Sequence, residues 1–228
     1  MKTTYITFNP DMARAYREGR KKMTRRVMVP QPPDWAEKSY IDDYKNVIVF
    51  EGKSRPDGVY YERSLKYGKH DDHLIIGTTW SAPKELDNLK PNELPIGYFA
   101  GLPIMSYVSG AAFNPIPIWS YFDGDEKPEG FGKLRPGRFL PNKLRDRMPR
   151  ETLKIVRAER VQGITDRESI LNGIFETPRD PGFECWSTHG MREYFATPRR
   201  AFKQLWNSIN EKCGYSWDSN PWVWCIGW

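Results

Sequence analysis

Cysteine is scarce in this chain: 228 residues hold three, Cys185, Cys213 and Cys225. An odd number, so widely spread, argues against a disulfide framework and fits a reducing compartment. Histidine is as scarce, with His70, His73 and His189 the only ones. His70 and His73 flank Asp71 and Asp72, but the spacing matches no zinc pattern, so the chain is expected to use no metal or other cofactor. Long hydrophobic runs are missing too: mean hydropathy is −0.71, and no run approaches the ~18 apolar residues of a bilayer span. The segment Met1-Lys2-Thr3-Thr4-Tyr5 lacks the apolar stretch and cleavage site of a secretory signal. The expectation is a cytoplasmic chain with no membrane partner. Internal repeats and low-complexity tracts are also missing. The length suffices for a single folding unit, 1–228, with a proper core.

What is abundant is concentrated positive charge. Residues 14–26 carry seven Lys/Arg against one Glu, a local charge of +6 that equals the net charge of the whole chain. A second window, residues 133–160, holds ten Lys/Arg and three acids, so everything outside the two windows is net acidic. Concentrated cations with hydroxyl donors among them attract phosphate or another polyanion, and they perturb the acidity of a lysine in their midst. The bland alternative for both windows is a solvated charged face.

Periodicity places these windows on elements. Met12, Ala15 and Tyr16 share one face of a short helix over 10–18, with Pro10 and Asp11 at its start and Gly19 as its stop. Alternation from Met23 to Val29 then predicts a strand with Thr24, Arg26 and Met28 on one face and Arg25, Val27 and Val29 on the other. Lys21 lies in the turn before it. Further strands are predicted over 46–51, 58–63, 74–76 with 78–80, 153–161 and 222–226. Thr165-Asp166-Arg167-Glu168 reads as a capping box opening a helix towards Asn172-Gly173. Thr197-Pro198 opens a longer helix with an apolar stripe of Phe202, Leu205, Trp206 and Ile209. Residues 82–132 are rich in Pro and Gly and read as an insertion or extended arm, with the core formed by 1–81 and 133–228. Strands interleaved with short helices, with few βαβ signs, favour an α+β barrel.

The run Gly19-Arg20-Lys21-Lys22-Met23-Thr24-Arg25-Arg26 resembles the G-x-K-x-x-x-x-R signature of the ASCH domain family, and in particular its phage and prophage branch with G-R-K-T-x-T-R-R. Three further blocks follow in the same order. Leu134-Arg135-Pro136 through Met148-Pro149-Arg150 resembles a W-R-P … M-P-R block. Val161-Gln162-Gly163-Ile164-Thr165 resembles L-Q-D-I-T. Leu205-Trp206-Asn207-Ser208-Ile209 with Trp217 to Trp224 resembles the C-terminal block. The resemblance covers 1–33 and about 133–228, with a weaker match at 74–80. It implies a PUA-like (ASCH) β-barrel with flanking short helices, and a role in RNA or nucleotide metabolism. Two departures stand out: Gly77-Thr78 replaces an Arg-Glu pair, and Asn172 replaces an acidic residue.

On this reading Lys21, Thr24 and Arg26 bind RNA, single-stranded nucleic acid or a modified nucleotide, Trp80 stacks a base, and Arg150, Arg157 and Arg160 extend a basic track. An alternative is hydrolysis. In ASCH amidohydrolases acting on N4-acetylcytidine, the matching Lys and Thr work with an acid, so Lys21 would be the base for Thr24, with Glu168 or Glu176 replacing the missing carboxylate. A ribonuclease using the same cluster is a variant of this. A third expectation is a phage protein that contacts a host or phage factor through 82–132. Trp206, Trp222 and Trp224 are expected to be packing residues.

Overall fold

The structure is a computed structural model and describes residues 1–54, 56–57, 60–82, 84–93, 119–120, 129–145, 148–180, 183–188 and 193–228. In chain order its strands and helices are β1 (Thr3–Thr7), α1 (Pro10–Arg17), β2 (Met23–Val27), β3 (Lys38–Asp42), β4 (Val47–Glu51), β5 (Tyr61–Ser64), β6 (His73–Gly77), β7 (Trp80–Ser81) and β8 (Trp119–Ser120). There follow α2 (Asn142–Arg145), β9 (Glu151–Thr152), β10 (Ile155–Arg160), α3 (Asp166–Leu171), β11 (Phe175–Asp180), β12 (Phe183–Ser187), α4 (Pro198–Asn210) and β13 (Trp222–Gly227). The fold is mixed α+β, mostly strands in small sheets with few helices. Among the described residues these strands make five separate sheets of two or three strands, and no closed barrel is formed. No helix among them is long and apolar enough to cross a membrane.

The chain divides into two compact units, residues 1–2, 15–72 and 152–228, and residues 3–14 and 73–151. The division runs through α1 and β9. Most of the expected arm over 82–132 lies outside the described residues.

In the first unit, β13 is the middle strand of an antiparallel sheet in the order β10-β13-β2. All six of its residues are buried, which explains its almost continuously apolar sequence. A meander β3-β4-β5 packs beside it. Ser39 Oγ on β3 donates to the Ala158 carbonyl of β10 at 2.8 Å, and the Phe50 ring meets Trp222 edge-on at 5.1 Å. The capping box forms as expected at α3, with Thr165 and Glu168 satisfying each other's backbone N–H. Thr197 caps α4, which buries Phe202, Leu205 and Trp206. Ile209, expected in the same stripe, is 51% exposed, because the stripe drifts off the core at the last turn.

In the second unit, β1 and β6 pair in parallel from Thr3↔His73 to Thr7↔Gly77. A small core gathers Trp80, Ala82, Leu140 and Leu144. The Arg135 guanidinium donates to the carbonyls of Leu86, Asp87 and Leu89.

Candidate functional site

The site is built at the join between α1 and β2, within the first unit. Gly19 ends α1 with φ +73°, a left-handed conformation that suits glycine. The chain then turns back: the Arg20 and Lys21 N–H groups both donate to the Ala15 carbonyl, and the Lys22 N–H donates to Leu171 at the end of α3. Lys21 is thereby driven inward. It is 4% exposed, and its Nζ donates to the Asn172 carbonyl at 2.7 Å. Gly173 follows with φ +104°, again a left-handed conformation that suits glycine. A Cβ there would lie 3.4 Å from the Ala15 Cβ and 3.8 Å from the Lys21 side chain.

Burial, then the charges of Arg26 and Arg25, push the Lys21 ammonium well below its usual acidity range. Arg26 is half-buried, and burial lowers its pKa as well. Pairing of β2 with β13 sets Thr24 opposite Ile226 and Arg26 opposite Trp224. Thr24 and Arg26 therefore share a face of the strand, as the alternation predicted. Thr24 is 5% exposed. The Trp224 ring in turn meets Tyr67 at 6.2 Å, and Tyr67 also acts electrostatically on Arg26. The amine, hydroxyl and guanidinium thus occupy one turn and one strand face, beside an aromatic pair.

The opposite face of the same sheet carries a second arrangement, which no local spacing in the sequence announces. Register aligns Arg157, Cys225 and Arg25 in one row across β10, β13 and β2. Arg25 donates to Glu159 Oε1 at 2.9 and 2.6 Å and to Glu168 Oε2 at 2.9 Å. Arg157 donates to Glu159 Oε2 at 2.9 Å and also pairs with Glu168. The Cys225 thiol donates to Glu159 Oε1 at 3.0 Å. Two guanidiniums face two carboxylates, so the network is formally neutral. Burial alone would raise both carboxyls, but Arg25 and the Cys225 thiol at Glu159, and the Thr165 N–H with Arg157 at Glu168, hold them below the usual carboxylate range. Burial pushes the Cys225 thiol up, which makes it unreactive.

These placements correct several expectations. Trp80, expected to stack a base, is 1% exposed. Its indole N–H donates to Pro136 at 3.2 Å and Arg135 lies 5.5 Å from its ring, so it packs the core of the second unit. Arg160 is half-buried, donates to the Asn220 and Ala36 carbonyls and lies over the Trp222 ring at 4.9 Å. Arg157 is held by two carboxylates. The expected basic track is therefore largely committed to internal partners, and Arg150, in the second unit, is its exposed member. Glu168 is fixed on the Arg25 face of β2, away from Thr24, and does not replace the missing acid. Glu176 is exposed on β11. Asn172, which the resemblance aligns with an acid, lies beside Lys21 but meets the lysine through its backbone oxygen. Its side-chain amide donates to the Glu168 carbonyl at 2.7 Å.

No protein-family model, curated protein or solved structure matches this chain.

Proposed function

We propose that the chain is an ASCH-like protein of PUA type that binds RNA, single-stranded nucleic acid or a modified nucleotide through Lys21, Thr24 and Arg26. The observation that carries this reading is Lys21, a buried amine on the Asn172 carbonyl with Thr24 and Arg26 on the adjoining strand. Burying an ammonium beside a guanidinium costs free energy, and such an arrangement stores affinity for an anionic or hydrogen-bonding guest. The ordered motif blocks support the family reading. Deep burial favours a guest that enters one unit at a time, a nucleotide or a chain-terminal base, over a backbone lying along an open groove.

A second reading, an amidohydrolase on N4-acylcytidine, is favoured by the lowered pKa of Lys21, since burial and neighbouring guanidiniums that disfavour its ammonium form make the amine a better base for a hydroxyl three residues along the chain. Calorimetric titration with cytidine 5′-monophosphate and a short oligouridylate tests the binding reading. Arg26→Gln and Thr24→Val, chosen because they keep Lys21 in place, should each weaken binding by roughly tenfold. Unchanged affinity in both variants overturns the assignment. Release of acetate from N4-acetylcytidine that disappears in Lys21→Met would instead establish the hydrolytic reading.

A further inference from the structure

A cleft of the first unit lies apart from the Lys21 site. It opens at the start of α4, has a volume of about 280 Å³ and is lined by Asp166, Thr197, Arg199, Arg200, Lys203 and Trp217. We propose that this cleft binds a phosphate group, presented either by a free nucleotide or by a single-stranded nucleic acid. The proposal does not depend on the Lys21 site.

The cations converge because of helix geometry. Arg199 and Lys203 are four residues apart and Arg200 and Lys203 three, so all three reach the same side of the first turns of α4. Two of them are pre-positioned. Arg199 donates to the Gln162 carbonyl at 2.7 Å and lies over the Trp217 ring at 5.2 Å. Lys203 donates to Asp218 at 3.1 Å, a pairing at a carboxylate that is 78% exposed and open to exchange with a competing anion. The guanidinium of Arg200 has no acceptor among the described residues.

Trp217 adds a hydrogen-bond donor at the wall of this cleft. It is 5% exposed, its ring packs on Phe202 at 6.3 Å, and it lines the cleft. Its backbone N–H donates to Asn207, but its indole N–H has no acceptor among the described residues. That donor is not fully enclosed, so it is left to bond solvent or a guest at the wall of the cleft. The backbone donors of the helix start are already used, Arg199 N by Asp166 at 2.9 Å and Arg200 N by the Thr197 hydroxyl at 3.3 Å. A phosphate would therefore be received by side chains: Arg200 and Lys203 by charge, and the indole by a hydrogen bond. The Asp166 carboxylate opposes it, outnumbered by the three cations.

The test is a titration of ¹⁵N-labelled full-length protein, following the Trp217 indole N–H signal assigned through Trp217→Phe. The probes are inorganic phosphate, uridine 5′-monophosphate and an oligouridylate in turn. The expected result is a saturable shift of that signal, weakened roughly tenfold in the double variant Arg200→Ala/Lys203→Ala. Both of those side chains reach solvent, so the variant should keep its circular dichroism. A tighter response to the oligomer than to the mononucleotide assigns the phosphate to a nucleic acid, and an equal response assigns it to a free nucleotide. An indole signal unmoved by all three probes, or an equal affinity in the double variant, overturns the proposal.

Discussion

Lys21 and the Arg25 network both favour the folded state as pH rises, but in different pH windows. Lys21 has its pKa lowered by folding, so between its folded value and about 10.4 the unfolded chain holds more proton, and stability should rise with pH across that window. Lys21→Met should flatten this rise in denaturant melts taken from pH 7 to 10. Glu159 and Glu168 also have lowered folded values, but as acids they contribute stability that is fully present above about pH 4.3 and lost as pH falls through their folded values. Removing one member of a buried pair leaves its partner's charge uncompensated. Glu159→Gln should therefore cost about 3 kcal/mol at pH 7, and the loss should shrink in melts repeated at acid pH. A stability profile identical to that of the unsubstituted chain at both pH extremes would contradict the network. Sequence reading found Lys21, Thr24 and Arg26 because they lie within six residues of each other. It missed Glu159 and Cys225 because their partners are assembled by strand register, 66 residues apart for that thiol and carboxylate.

At the scale of elements, α3 holds both β2 and the turn that precedes it. Its first turn sends Glu168 to Arg25, and its end offers the Leu171 and Asn172 carbonyls to Lys22 and Lys21. Gly173 turns the chain out of α3 with a positive φ, directly after the Asn172 carbonyl that holds Lys21. Gly173→Ala should cost roughly 1–2 kcal/mol from the left-handed backbone alone, measured by thermal or denaturant unfolding. It should also weaken ligand binding at Lys21 more than a Gly19→Ala change, whose Cβ meets nothing within 4 Å. The capping box, α4 and β13 were legible because their signals are local: a Thr-x-x-Glu spacing, a Thr-Pro start and an apolar run. β1, β3, β11 and β12 went unread. Thr3–Thr7 and Lys38–Asp42 are five residues each, too short for periodicity to distinguish strand from loop, and the pairing partner of Thr3–Thr7 is remote in sequence. Trp80 was misread because its neighbours Arg135 and Pro136 are brought to it only by folding.

At the scale of the molecule, the charge pattern seen in the sequence remains but changes meaning. In the second basic window, Arg135 and Arg145 donate to backbone carbonyls, Arg157 to carboxylates and Arg160 to carbonyls beside a tryptophan. These cations hold loops in place and are unavailable to a phosphate backbone. A polyanion contacting few free cations should lose affinity only shallowly with salt, with a slope near −0.7 per phosphate neutralised. A slope corresponding to five or more phosphates would show that the second window is engaged after all. The central claim is that Lys21 lies in a site that receives a nucleotide. The most direct measurement of it is the Lys21 side-chain pKa by NMR, with and without cytidine 5′-monophosphate. The account predicts a value clearly below that of a free lysine, rising when the anionic ligand binds beside it. An ordinary lysine value that the nucleotide leaves unmoved would contradict it.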